Sequence, residues 1–249
     1  MPGYGYGIAE VLTSNPASGG GTPPFEYTAI ANNYSMTFDG TNYIAAPIPG
    51  DPYGTATIRS YSFWIKTTST SLQPLFSGIG PISLFRYTNQ LYKTASNQLL
   101  WSYDSSPIYG STICQAITTN PITINDGNWH HIVLYAPVDS SANRNNISNT
   151  KIYVDGLDLA LTTQPGTSAI RGFQSTGESE IVFGAGNSGG SSAQIYLDGN
   201  IDEFAYWDNS ELSQETIEKI YNTTNNNTGK VADLTETPEG APTAWYRFE

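Results

Sequence analysis

The sequence is short of the residues that build covalent or metal-based frameworks. It has one cysteine, Cys114, so no internal disulfide can form. That cysteine and two adjacent histidines, His130 and His131, cannot supply the Cys/His spacings of a structural zinc site. Basic residues are scarce too: 10 Lys and Arg face 22 Asp and Glu, a net charge of −12. Such a chain neutralises few phosphates, which disfavours nucleic acid and anionic membrane as partners. No apolar run is long enough to span a bilayer, and the opening MPGYGYGIAEVL lacks the basic segment and long apolar stretch of a secretion signal.

What the sequence has is aromatic and small polar side chains. Aromatics make up 12% of the residues, 17 of them Tyr, while charged residues reach only 13%, about half the usual share. That is enough to bury a core, so disorder throughout is excluded. Residues 1–32, with PGYGYG and ASGGGTPP, read as an extended arm. From residue 33 to about 222, short stretches rich in Val, Ile, Thr, Phe, Tyr and Trp alternate with Gly, Asn, Asp and Pro clusters. The clearest are YSMTF (34–38), YSFWIKT (61–67), NWHHIVLYA (128–136), TKIYVDG (150–156), SEIVFGA (179–185) and IDEFAYW (201–207). With no helices between them, these strands predict an all-β, two-sheet antiparallel sandwich.

One helix is expected. Ser213 can cap it, Glu215 sits in its first turn, and Ile217, Ile220 and Tyr221 form one apolar stripe. Leu212 and Ile217 match a hydrophobic staple. Residues 223–243 read as a polar linker, and AWYRFE (244–249) is strand-like again.

Four segments in order, YSMTFDGTNYI (34–44), DGNWHHIVLYA (126–136), KIYVDGLDLA (151–160) and LDGNIDEFAYW with the helix after it, resemble the laminin G-like members of the concanavalin A-like jelly-roll superfamily, over about three quarters of the chain. The resemblance implies a jelly-roll sandwich with one short helix. Family domains commonly open on an aromatic-x-F-(D/E) strand, which is missing ahead of Tyr34, whereas AWYRFE has that form. Residues 244–249 are therefore expected to complete a sandwich, in the same chain or in a neighbour. Similar domains occur in structural proteins of tailed phages. The resemblance thus implies a virion-surface protein, a capsid decoration or tail-fibre component, that is oligomeric in the assembly and attached to other virion proteins through residues 1–32 and 244–249.

Catalytic motifs are weak. The E-x-D-x-x-E triplet of related glucanases does not occur. Asp202 and Glu203 are adjacent, so an ideal strand sends them to opposite faces. Glu178 and Glu180 have the right spacing but read as a solvated rim pair, and GAGNSG (184–189) has no helix after it and reads as a flexible loop. No G-x-S-x-G elbow serves the histidines. The chain is therefore expected not to be an enzyme and to require no cofactor. Strict alternation sets Asp202 beside Phe204 and Tyr206, where a carboxylate needs a partner. Family resemblance makes Asp202, with Asp39, the candidate ligands of a structural calcium; the alternative is an Asp satisfied by backbone N–H groups, Arg59 or His131. Trp101, Tyr103 and Tyr109 are candidates for a flat platform that stacks on sugars, against the commoner fate of an aromatic, burial. The second functional reading is accordingly a carbohydrate-binding module.

Overall fold

The computed structural model describes residues 27–47, 58–79, 87–103, 114–137, 146–164, 180–187, 194–208, 210–226 and 230–248. Its strands are β1 (Ala29–Ala31), β2 (Met36–Asp39), β3 (Ile44–Pro47), β4 (Ile58–Lys66), β5 (Gln73–Ile79), β6 (Tyr87–Lys93), β7 (Leu99–Tyr103), β8 (Cys114–Thr118), β9 (His130–Pro137), β10 (Lys151–Val154), β11 (Leu157–Asp158), β12 (Leu161–Gln164), β13 (Glu180–Phe183), β14 (Ala185–Asn187), β15 (Gln194–Tyr196), β16 (Asp198–Asp208), β17 (Lys230–Ala232) and β18 (Ala244–Tyr246). Among the described residues the one α-helix, α1, is Gln214–Asn226. Two seven-stranded antiparallel sheets make the sandwich. The first runs β11-β10-β9-β4-β16, with β2 and β18 on the free side of β16; the second runs β12-β8-β7-β6-β5-β13-β3.

Period-2 patterning sends every other side chain inward. Between the sheets lie Tyr61 and Phe63 of β4, Phe76 of β5, Trp101 of β7, Phe183 of β13 and Phe204 of β16, all 2% exposed or less. Most of them meet tilted or edge-on, as Phe63 and Phe76 do at 5.8 Å and 84° and Phe183 and Phe204 at 4.7 Å and 72°, while Phe63 stacks on Phe204 at 5.6 Å and 29°. The edge-on contacts set ring edges against ring faces.

The outer face of the first sheet is covered. Leu212, Ile217 and Ile220 of the helical segment, with Tyr27, Ala232 and Leu234, pack on Val133, Tyr153, Ala205 and Trp207. Ser213 caps the helix as its sequence implies, its Oγ accepting from the Thr216 N–H at 3.2 Å. Two boundaries differ from the sequence reading. Residues 27–32 are not arm: Tyr27 is buried, and β1 pairs with β17 from Ala29 opposite Ala232 to Ala31 opposite Lys230. Residues 223–243 are not linker either. The helix continues to Asn226, β17 follows, and Glu239 accepts from the Ser213 N–H and the Thr216 hydroxyl, both at 2.9 Å. Buried Val231, Ala232 and Leu234 were masked in the sequence by the polar residues around them. Residues 1–26 lie outside the described residues.

Two local features fix the frame. The β10–β11 hairpin turns on Asp155 and Gly156 at φ +53° and +81°, the Asp-Gly pair a tight hairpin needs. At the end of the β6–β7 hairpin, Lys93 is fully buried, its Nζ donating to the carbonyls of Ser71 at 3.2 Å and Thr94 at 3.3 Å. Burial lowers its amine pKa below the ordinary lysine range.

Strand β18 lies on its own sandwich: Ala244, Trp245 and Tyr246 pair with Tyr206, Ala205 and Phe204. Rings of Tyr246 and Phe248 pack edge-on against Phe183 at 5.6 and 5.7 Å. Deleting residues 244–249 is expected to cost about 3 kcal/mol and lower Tm by about 10 °C, with oligomers forming through the bared edge of β16. Calorimetry and light scattering check this; an unchanged Tm would show that the strand adds nothing.

Candidate functional site

Two of the acidic residues singled out in the sequence, Asp202 and Glu203, meet at a break in β16. Asp202 pairs with Trp64 and Ala205 with Ser62, so β16 carries one extra residue between them, and Glu203 takes φ +52°. This bulge overturns two expectations. Asp202 does not share a face with Phe204 and Tyr206, which point into the core; it lies on the outer face beside Trp64. Asp202 and Glu203 do not point apart either, because the Asn32 amide donates to Asp202 Oδ2 at 3.0 Å and also to Glu203 Oε1. Bulges re-aim side chains in this way. Asp202 Oδ1 also accepts the Glu203 N–H at 2.8 Å. Glu203 Oε2 accepts Trp245 Nε1–H at 2.6 Å, and Arg247, stacked over Trp245 at 5.1 Å, brings Nε within 3.6 Å of Glu203 Oε1.

This arrangement does not fit calcium. Asn32 and Trp245 aim N–H groups at the oxygens whose lone pairs an ion would need. Asp39 is elsewhere: it pairs with Asp198, four residues along β16 from Asp202, or about 13 Å. Its Oδ1 accepts the Thr41 N–H at 3.0 Å and hydroxyl at 2.7 Å. Of the partners proposed for Asp202, backbone N–H is observed. Arg59 instead pairs with Asp208 at 2.8 Å, and His131 Nε2 meets Ser62 Oγ at 2.8 Å. Among the described residues, no three His, Cys, Asp or Glu side chains converge as metal ligands.

Nor is this pair placed for catalysis. Glu203 is 3% exposed, and the crevice beside it, lined by Ser62, Trp64, Thr224 and Leu234, admits about one water. The two histidines part company as alternation predicts. His131 is buried against Trp64, which drives its pKa down to about 4. His130 is held between Asp155 at 2.8 Å and Asp126 at 3.1 Å, which raises its pKa despite partial burial.

The sugar-platform expectation is corrected at Trp101. Its ring lies on the inner face of β7, fully buried between Tyr61 and Phe76, so no ligand reaches it. Tyr103 is the last residue of β7, and Tyr109 lies outside the described residues.

A different array occupies the opposite side of the sandwich, the outer face of the second sheet. Ser77 pairs with Gln90, Gln90 with Ser102, Ser102 with Gln115, and Gln115 with Gln164. Phe76, Leu91, Trp101 and Ala116, each one residue away, point inward, so this Ser/Gln row points outward. It crosses five strands, a span of about 19 Å. Ser77, Gln90 and Ser102 are buried, Gln115 is half-buried and Gln164 is exposed. The β14–β15 hairpin covers the buried end, where the Ser77 hydroxyl donates to the Ala185 carbonyl at 2.7 Å. Gly186 permits the close approach: a Cβ there would stand 2.9 Å from Gln90 Oε1 and 3.0 Å from Pro74 Cβ. GAGNSG therefore begins as a strand over this face, not as a free loop. Beside it, exposed Tyr43 stacks on Tyr196 with centroids 6.5 Å apart and planes at 21°. Tyr196 in turn donates to Gln194 Oε1 at 2.6 Å. Glu180 stands exposed at the start of β13, while Glu178 lies outside the described residues.

The chain belongs to the laminin G 3 family of the concanavalin A-like lectin/glucanases superfamily, whose family model matches residues 38–218. A comparison with curated proteins finds no match. Among solved structures, the chain is similar to the CBM40 of the Ruminococcus gnavus IT-sialidase bound to α2,3-sialyllactose, with 15% identity over 78% of this chain and 100% of that one and a TM-score of 0.49. It is also similar to a heptameric SAP-like pentraxin from Limulus polyphemus (12% identity, 75% and 81% covered, TM-score 0.46). A third is the mouse laminin α1 chain, domains LG4-5 (14% identity, TM-score 0.44), where 72% of this chain spans 41% of that one. At such identities and scores, none of these likenesses bears on what this chain binds.

The bulge yields a pH prediction. Burial first, and Asp202 second, push the Glu203 carboxyl up to about 7 from 4.5, against Arg247, Trp245 and Asn32. A raised folded-state pKa contributes stability that is complete below the unfolded value and lost as pH rises through about 7. Gln at 203 keeps one acceptor oxygen and no ionisation. The stability advantage of the wild type over Glu203→Gln is therefore expected to shrink by up to about 3 kcal/mol between pH 4.5 and 8. Denaturant titrations of both proteins across that range check it, and a constant gap would refute it.

Proposed function

We propose that this chain is a non-catalytic carbohydrate-binding sandwich whose ligand lies across the outer face of the second sheet. The observation that carries the reading is the in-register Ser/Gln row, exposed at Gln164 and walled at its other end by a hairpin beside the Tyr43–Tyr196 stack. Amide and hydroxyl groups both donate and accept, as sugar hydroxyls do. Membership of a superfamily described by its lectins and glucanases supports the reading. The carboxylates of Asp202 and Glu203 are on the far side of the sandwich and tied up by Asn32, which supports binding without hydrolysis.

A second reading concerns where such a module works. We propose that it is displayed on a virion, as a capsid decoration or tail-fibre component, attached by the Gly/Pro/Tyr-rich residues 1–26. What supports this is that Tyr27, the first described residue after that run, packs under α1, on the side away from the Ser/Gln row. Mass spectrometry of purified virions from the source sample is expected to find this chain in multiple copies.

A glycan array, followed by calorimetry with the best hit, tests the binding reading. Gln164→Ala is expected to weaken the hit about fivefold, through loss of about 1 kcal/mol of hydrogen bonding, with Tm unchanged. Absence of any glycan ligand would overturn the reading.

A further inference from the structure

Resting on the glycan-binding reading, we infer that the ligand of this face is an uncharged oligosaccharide, and that it is held over β7, β8 and β12. The row along which it lies is made of side chains that carry no charge at any ordinary pH. Among the described strand residues of that outer face, the charged one is Glu180, an exposed carboxylate. A sialylated, sulfated or uronic sugar would thus meet no described cation there, on a protein of net charge −12. Gln and Ser serve a neutral sugar in both senses, whereas an anion gains only from their donors and leaves the carbonyl oxygens opposed to it.

The placement follows from the hairpin. Ser77 spends its hydroxyl on Ala185, the Gln90 amide oxygen is taken by the Tyr92 hydroxyl, and the backbone of Gly186 lies against both β5 and β6. That half of the row is already occupied by the chain itself. Ser102, Gln115 and Gln164 continue it on the next three strands, with exposure rising towards Gln164. A chain lying across these strands ends against the hairpin, so the site accepts a short stretch of sugar.

The full-length protein should be titrated calorimetrically with neutral hexasaccharides from β-glucan, mannan and galactan, and with 3′-sialyllactose, heparin oligosaccharides and oligogalacturonate. The expected result is binding of a neutral probe whose affinity changes by less than about twofold between low and high salt, since no ion pair is made. Gln115→Ala and Gln164→Ala should each weaken it about fivefold, one net hydrogen bond apiece, without moving Tm. Binding confined to the acidic probes, or neutral binding indifferent to both substitutions, overturns this inference and leaves the glycan reading standing. Failure of every probe, neutral and acidic, overturns the glycan reading itself.

Discussion

The structure depends on one constraint: β16 must bury Ile201, Phe204 and Tyr206 together although they do not alternate. An unbroken strand would carry Ile201, Glu203, Ala205 and Trp207 on one face and Asp202, Phe204 and Tyr206 on the other, leaving a carboxylate among apolar neighbours on each. The extra residue at Glu203 resolves the conflict by turning both acids outward and both rings inward. A left-handed backbone at a non-glycine residue is uncommon, and here Asn32, Trp245 and Arg247 hold the side chain that adopts it. The cost of that conformation is set against a core in which Phe204 touches Phe63, Phe76 and Phe183.

The same break divides the edge of the first sheet. Before it β16 pairs with β2, and after it with β18, two strands separated by about two hundred residues of chain. Asn32 stands just ahead of β2, and Trp245 belongs to β18, so one pair of carboxylates joins segments from both ends of the described sequence. The helix layer covers the first sheet, while the uncharged row of the second sheet runs from under the β14–β15 hairpin out to exposed Gln164. The sandwich thereby has one face committed to its own chain and one with polar groups left to offer.

Much of the fold was legible. The six clearest apolar stretches all fall on strands, because β-branched and aromatic residues bounded by Gly, Asn and Asp leave few alternatives. The middle strands of the second sheet were harder to read: QPLFSGI, YTNQLYK and CQAIT mix polar and apolar residues without a clean turn signal. That is the very reason they carry a polar row on one side. The candidate site was legible only in chemistry. Asp202 did need a partner, but the partner, Asn32, sits in a stretch read as arm, and spacing cannot reveal a bulge. The signal was present nonetheless, since a strand with one acid on each apolar face has no unbroken solution. Trp101 misled because its neighbours Ser102 and Tyr103 look like loop composition, whereas in-register pairing places its ring between Tyr61 and Phe76.

Lys93 gives the fold an internal clock. With its amine sealed behind two carbonyls, acylating reagents that modify the surface lysines leave it untouched while the β6–β7 hairpin stays shut. Its modification therefore times the opening of the hairpin whose strands carry Gln90 and Ser102, and a sugar bridging that sheet would slow the clock.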